Sequence, residues 1–163
     1  MNDSTAGSLT TKRFQKRRSL WLFLGFAAAD ILCVGAGMGV PIFPILLGFP
    51  VGYAIARTLA ARSLALRDLL AKILLCAALT SAFTLVLMMV IWGPVAIRLA
   101  DPAFDVANFG IPLILYDPLA SFVGWLGLMI VVSPFLQLLT TLLGAHLTLL
   151  WWLERNPDRE LLQ

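Results

Sequence analysis

The sequence predicts an all-α protein: an integral membrane helical bundle of four transmembrane helices with short Gly/Pro-interrupted segments. Three observations lead there. First, 60% of the 163 residues are hydrophobic and only 13% charged, against roughly half and a quarter in soluble domains. Second, the apolar residues come in long uncharged runs, Ile73–Ile97 and Pro118–Leu153 among them. Third, the charges between the runs alternate. Five of the twelve basic residues (Lys12, Arg13, Lys16, Arg17, Arg18) precede the first run, and Arg57, Arg62, Arg67 and Lys72 separate the second from the third. The next gap instead sets Arg98 among Asp101, Asp105 and Asp117. This is the positive-inside pattern. It predicts a cell (plasma or inner) membrane protein with both termini in the cytoplasm. It also explains the net charge of +3 without a nucleic acid, because membrane topology accounts for where the basic residues fall. The lipid bilayer is the expected first partner.

Residues 1–18 read as a basic cytoplasmic tail able to touch anionic lipid. "RRSLW" followed by "FAAAD" (Phe26–Asp30) has the outline of a cleavable signal. The apolar stretch before that site is short and hydrophobicity continues beyond it, so an uncleaved first transmembrane helix is expected. Ser19 to Ala56 is apolar apart from Asp30. One helix of that length would reach about 57 Å, far beyond a hydrocarbon core of about 30 Å. The chain must turn back, and the Gly35–Pro41 stretch is the place. Helices follow at about 19–37 and 41–56.

In residues 57–72, "RTLAARSLALRDLLAK", Leu59, Leu66, Leu70 and Ile73 fall on one helical stripe. This is either an extension lying in the membrane interface or an ordinary solvated helical turn. Residues 73–97 form the cleanest span, with Gly93–Pro94 as a kink or stop. Residues 98–118 read as an outer loop. Residues 119–153 are too long for one simple span, which predicts a break near Pro134. On that reading 119–133 is a tilted half, a re-entrant piece or a fifth span. The transmembrane domain thus covers 19–153, and 154–163 is a cytoplasmic tail. Trp21, Trp151 and Trp152 fall at the inner interface, Trp92 and Tyr116 at the outer one, as aromatic belts require. A faint repeat pairs "GVP" at Gly39–Pro41 with "GIP" at Gly110–Pro112, and "VGY" at Val51–Tyr53 with "VGW" at Val123–Trp125.

Asp30 is the main candidate for chemistry. It lies about 16 Å along the first helix, where a carboxylate is costly and marks a functional hypothesis. Counting inward on the other helices brings His146, Thr80, Ser81, Thr84, Thr140 and Thr141 to similar depths. A buried polar cluster of Asp30, His146 and these hydroxyls serves as a proton relay or ion site. The plainer reading is a carboxyl group that hydrogen-bonds to threonines and joins helices without transporting anything.

The second feature is the run Gly35–Gly52. Gly35-x-x-x-Gly39 and Gly48-x-x-x-Gly52 are small-xxx-small patterns that admit close helix approach, and Pro41, Pro44 and Pro50 interrupt the same run. The run is either a tight hairpin leading into a proline-kinked helix or broken backbone lining a cavity. Enzyme motifs are absent, and with one histidine neither a metal centre nor a cofactor is expected. Cys33 and Cys76 read as small apolar packing residues.

Two functions follow. One is an oligomeric channel or transporter for a small ion or solute, with Asp30 on the path. The other is a non-catalytic accessory or assembly subunit of a larger membrane complex. A homo-oligomer or a complex partner is expected in both. A water-filled cavity reaching Asp30 favours the first, and a sealed Asp30 favours the second.

Overall fold

The computed structural model describes residues 20–35, 41–61, 65–101, 103–106 and 116–156. The described residues form five α-helices: α1 (Leu20–Gly35), then α2 (Ile42–Ala60), α3 (Leu66–Ile97), α4 (Pro118–Gly127) and α5 (Ser133–Arg155). A 3-10 turn, Arg98–Ala100, closes α3, and a π turn, Leu128–Val132, joins α4 to α5 without reversing the chain. There is no strand among the described residues. Three helical runs are long and apolar enough to cross a membrane: Ile42–Ala60, Leu66–Ala100 and Pro118–Arg155. α1 is apolar but shorter.

The helix boundaries follow from local chemistry. α2 begins directly after Pro41, and Pro44 sits in the first turn, where a missing N–H costs nothing. Pro50 lies inside α2 and is exposed. Its ring points outward and removes one backbone bond, and the helix continues because packing on the opposite face holds it. The stretch 57–72 belongs to two helices. Its first residues complete α2, with Arg57 in the last turn, where a cation suits the helix dipole. Its last residues start α3, with Asp68 in the first turn. α4 starts on a conventional cap: the Asp117 side chain accepts from the Leu119 N–H at 2.8 Å, and Pro118 follows.

The expected break near Pro134 lies one turn earlier and is milder than a reversal. Proline lacks the N–H for a regular bond, and its ring collides with the carbonyl four residues back. Here the Ser133 N–H bonds to the Leu128 carbonyl, five residues back, which is the wider π spacing. Residues 119–133 are therefore continuous with α5 in one helical run. Gly39, in the expected reversal, lies outside the described residues, as do Gly110 and Pro112 of the repeat.

Side-chain contacts fix the helix directions. Trp92 stacks edge-on against Trp125 at 4.6 Å, Ser81 bonds to Pro134, and Leu69 and Ile73 pack with Ala145 and Leu149. Numbers rise along α3 as they fall along α4–α5, so this pair is antiparallel. Ile45 meets Thr140 and Gly52 meets Ala145, so α2 and α5 run the same way. Phe26 against Phe83 and Asp30 against Thr84 make α1 parallel to α3. Chain order therefore alternates up and down. One end gathers Arg57, Arg67, Lys72 and Arg155. The other carries Asp101, Asp105 and Asp117.

Two apolar clusters fill the interior. Ala56, Leu59, Ala60, Leu69, Ile73, Ala145 and Leu149 pack at the basic end. Met88, Phe122, Trp125, Leu126 and Met129 pack toward the other. Between them lies a polar layer.

Candidate functional site

The centre of the polar layer joins one side chain from each of three helices. Asp30 of α1 is fully buried. Phe23 and Phe26 pack against Phe83 of α3 just below it, at 5.7 and 5.8 Å. Val34, one turn above, joins the Met88 cluster. These contacts hold the α1 face that carries Asp30 toward α3 and α5. There Thr84 Oγ1 donates to Asp30 Oδ2 at 2.7 Å, and Gln137 Nε2 donates to Asp30 Oδ1 at 3.3 Å. Both partners are buried. No lysine or arginine occurs between Asp30 and Arg57, between Lys72 and Arg98, or between Arg98 and Arg155. The spanning runs therefore supply hydrogen bonds rather than a counter-charge to this carboxyl group.

The layer has unused capacity. Gln137 Oε1 and Ser133 Oγ are buried without a partner. They lie one turn apart on α5. A buried acceptor left unpaired costs roughly 1–3 kcal/mol, so these atoms mark the least satisfied part of the interior.

The remaining sequence candidates separate by face. Thr80 is buried but donates to its own helix, to the Ala77 carbonyl at 2.9 Å. Thr141 likewise bonds to the Gln137 carbonyl at 2.8 Å. Ser81 donates across to the Pro134 carbonyl of α5 at 2.7 Å. Thr140 donates across to the Ile45 carbonyl of α2 at 2.6 Å. His146 does not join them. It is exposed on the outer side of α5 among Leu143, Leu147 and Leu150. Gln137, which reading for charge overlooks, stands in its place. It is the single side-chain amide in the run from Pro118 to Leu153, and a search for polar atoms in apolar runs finds it.

The glycines sort in the same way. Gly35 ends α1 in open space. Pro44, Gly48, Gly52 and Ala56 form the buried stripe of α2, four residues apart. A Cβ on Gly48 would run into Thr140 Oγ1 and stand 2.7 Å from the Gln137 carbonyl oxygen. On Gly52 it would run into the Thr141 carbonyl oxygen and stand 2.7 Å from the Ala145 nitrogen. Gly144 returns the contact from α5, where a Cβ would lie 2.6 Å from the Phe49 carbonyl oxygen. The close neighbour of the Gly48–Gly52 segment is thus α5 of the same chain. Comparison with known protein families, curated proteins and solved structures finds no match.

Proposed function

We propose that Asp30 is the knot of the bundle, and that the chain is a non-catalytic accessory or assembly subunit of a larger membrane complex. The enclosure of Asp30 carries this reading. The residue is 0% exposed, and each of its oxygens accepts from a different helix. The surface cavities by Tyr53 and Trp151 lie away from it. A carboxyl group tied to Thr84 and Gln137 selects one arrangement of α1, α3 and α5 against all registers that would leave it unpaired in an apolar interior. The outer faces, dense in leucine, valine and isoleucine, are then free to meet lipid or partner helices. In this reading α1, α2, α3 and the α4–α5 run make four spans, and the basic end faces the cytoplasm.

A second reading, an oligomeric channel or transporter for a small ion or solute, has one observation in its favour. The unpartnered Gln137 Oε1 and Ser133 Oγ belong to the same buried layer as the carboxyl group, next to a π turn of the kind found at functional sites. Reconstitution in liposomes separates the two, with proton and simple-ion flux measured for the wild type and Asp30→Asn. The first reading expects both to be no leakier than empty vesicles. Flux in the wild type that disappears in Asp30→Asn would sink it and establish the second.

A further inference from the structure

At the basic end, far from Asp30, α2 and α5 flank a cavity of about 380 Å³ lined by Tyr53, Arg57, Ala61, Thr148, Trp151 and Trp152. Its lining holds one cation and no carboxylate. A second cavity of about 350 Å³ shares Tyr53, Thr148 and Trp151 with the first and adds Leu147, the exposed residue just before Thr148. The two form one track from a charged mouth to a greasy flank.

We propose that this track binds one anionic phospholipid, with its phosphate at Arg57 and an acyl chain along Leu147. The donors suit a phosphate oxygen. Arg57 Nη1 donates to Tyr53 Oη at 3.0 Å, which uses one of the five guanidinium N–H groups. Because that phenol accepts from Arg57, its own proton is free to point at a second acceptor. Guanidinium and hydroxyl together make a fork of charge-assisted donors, the arrangement that phosphate groups prefer. Thr148 adds no donor, since its hydroxyl bonds to the Gly144 carbonyl at 2.6 Å.

The same geometry selects against a zwitterionic choline lipid. A quaternary ammonium is best held over an aromatic face. The Trp151 face is taken by the Arg155 guanidinium, 3.9 Å from the ring centroid. A second cation beside Arg57 and Arg155 is repelled, whereas a lipid of net negative charge neutralises the mouth. The second cavity distinguishes a lipid from a free anion, because inorganic phosphate leaves the Leu147 track empty. Basic pockets between helices at the membrane surface hold anionic headgroups for these reasons.

The test is native mass spectrometry of the full chain in a neutral detergent, with an equimolar mixture of phosphatidylglycerol and phosphatidylcholine. The wild type is expected to retain the glycerol lipid roughly fivefold over the choline lipid, the preference that one surface cation contributes. Arg57→Gln should bring the ratio close to one. Arg98→Gln, at the opposite end of α3, should leave it unchanged. Equal retention of both lipids by the wild type overturns the proposal and needs no variant. Two other results also overturn it: an equal loss of preference in Arg98→Gln, or displacement of the lipid by millimolar inorganic phosphate.

Discussion

Placing one methyl group on Gly52 tests the backbone contact between α2 and α5. Its Cβ would lie 2.7 Å from the Ala145 nitrogen and nearer still to the Thr141 carbonyl oxygen, where ordinary contact begins at 3.4 Å. Both atoms are backbone, so no side chain can swing aside, and α2 must retreat from α5 by about 1 Å. Overpacking of this kind costs about 1–3 kcal/mol. The retreat also stretches the Thr140 to Ile45 bond, worth about 0.6 kcal/mol between helices in a membrane. Against this, alanine is the better helix former by about 1 kcal/mol. Gly52→Ala should therefore destabilise the bundle by a net of about 0.6–2.6 kcal/mol. Gly124 supplies the control, because nothing lies within 4 Å of its virtual Cβ. Gly124→Ala keeps only the propensity term and should be neutral or stabilising by up to about 1 kcal/mol. The assay is equilibrium unfolding in mixed micelles, followed by far-UV circular dichroism and tryptophan emission. Only Gly52→Ala should lower the midpoint. A Gly52→Ala midpoint equal to the wild type would mean that α2 and α5 are not in backbone contact, and the packing argument fails.

The same unfolding assay reads two further substitutions. Asp30→Asn should change stability by less than about 1 kcal/mol, because asparagine still accepts from Thr84 and its amide can donate to a turned Gln137. Asp30→Leu strands the Gln137 amide, while Thr84 keeps the Thr80 carbonyl at 3.2 Å, and should cost about 1–3 kcal/mol. Equal losses in the two variants would refute the hydrogen-bonding role. Among the hydroxyls, Ser81→Ala and Thr140→Ala each remove a bond between helices and should cost about 0.6 kcal/mol. Thr58 bonds only to the Ala54 carbonyl of its own helix, so Thr58→Ala should cost less than either.

The fold class was legible because hydropathy and charge act on whole segments, and no local detail overrides an uncharged run as long as Ile73–Ile97. The helix order follows from length alone. Asp30 stood out for the same reason, as a charge where none belongs. Its partners were harder to read. Depth along a helix ranks candidates by height but not by direction, and His146 and Gln137 show the difference. They are nine residues apart, which is half a revolution beyond two full turns at 100° per residue. Once α5 turns Gln137 inward, His146 must face out. Which side turns inward depends on Gly144 fitting against Phe49, a contact between distant segments that no single-segment pattern contains. The π turn was invisible for a similar reason: Pro134 announces a disturbance but does not say whether the chain kinks, stops or widens.

That turn has an accounting consequence in the sequence itself. A π turn holds one residue more than the α turn it replaces, so α4 and α5 contain an insertion and a proline that accommodate each other. Removing one residue from Leu128–Val132, such as the outward-facing Val131 (61% exposed), would tighten the turn against the Pro134 ring. Replacing Pro134 alone would leave a surplus residue with no ring to make room for. Either change by itself rotates the Trp125 face out of phase with Gln137 or strains the joint. Made together, they would restore a regular helix with both buried faces still aligned. The two positions thus form a coupled pair, and their separate costs should largely cancel in the double variant.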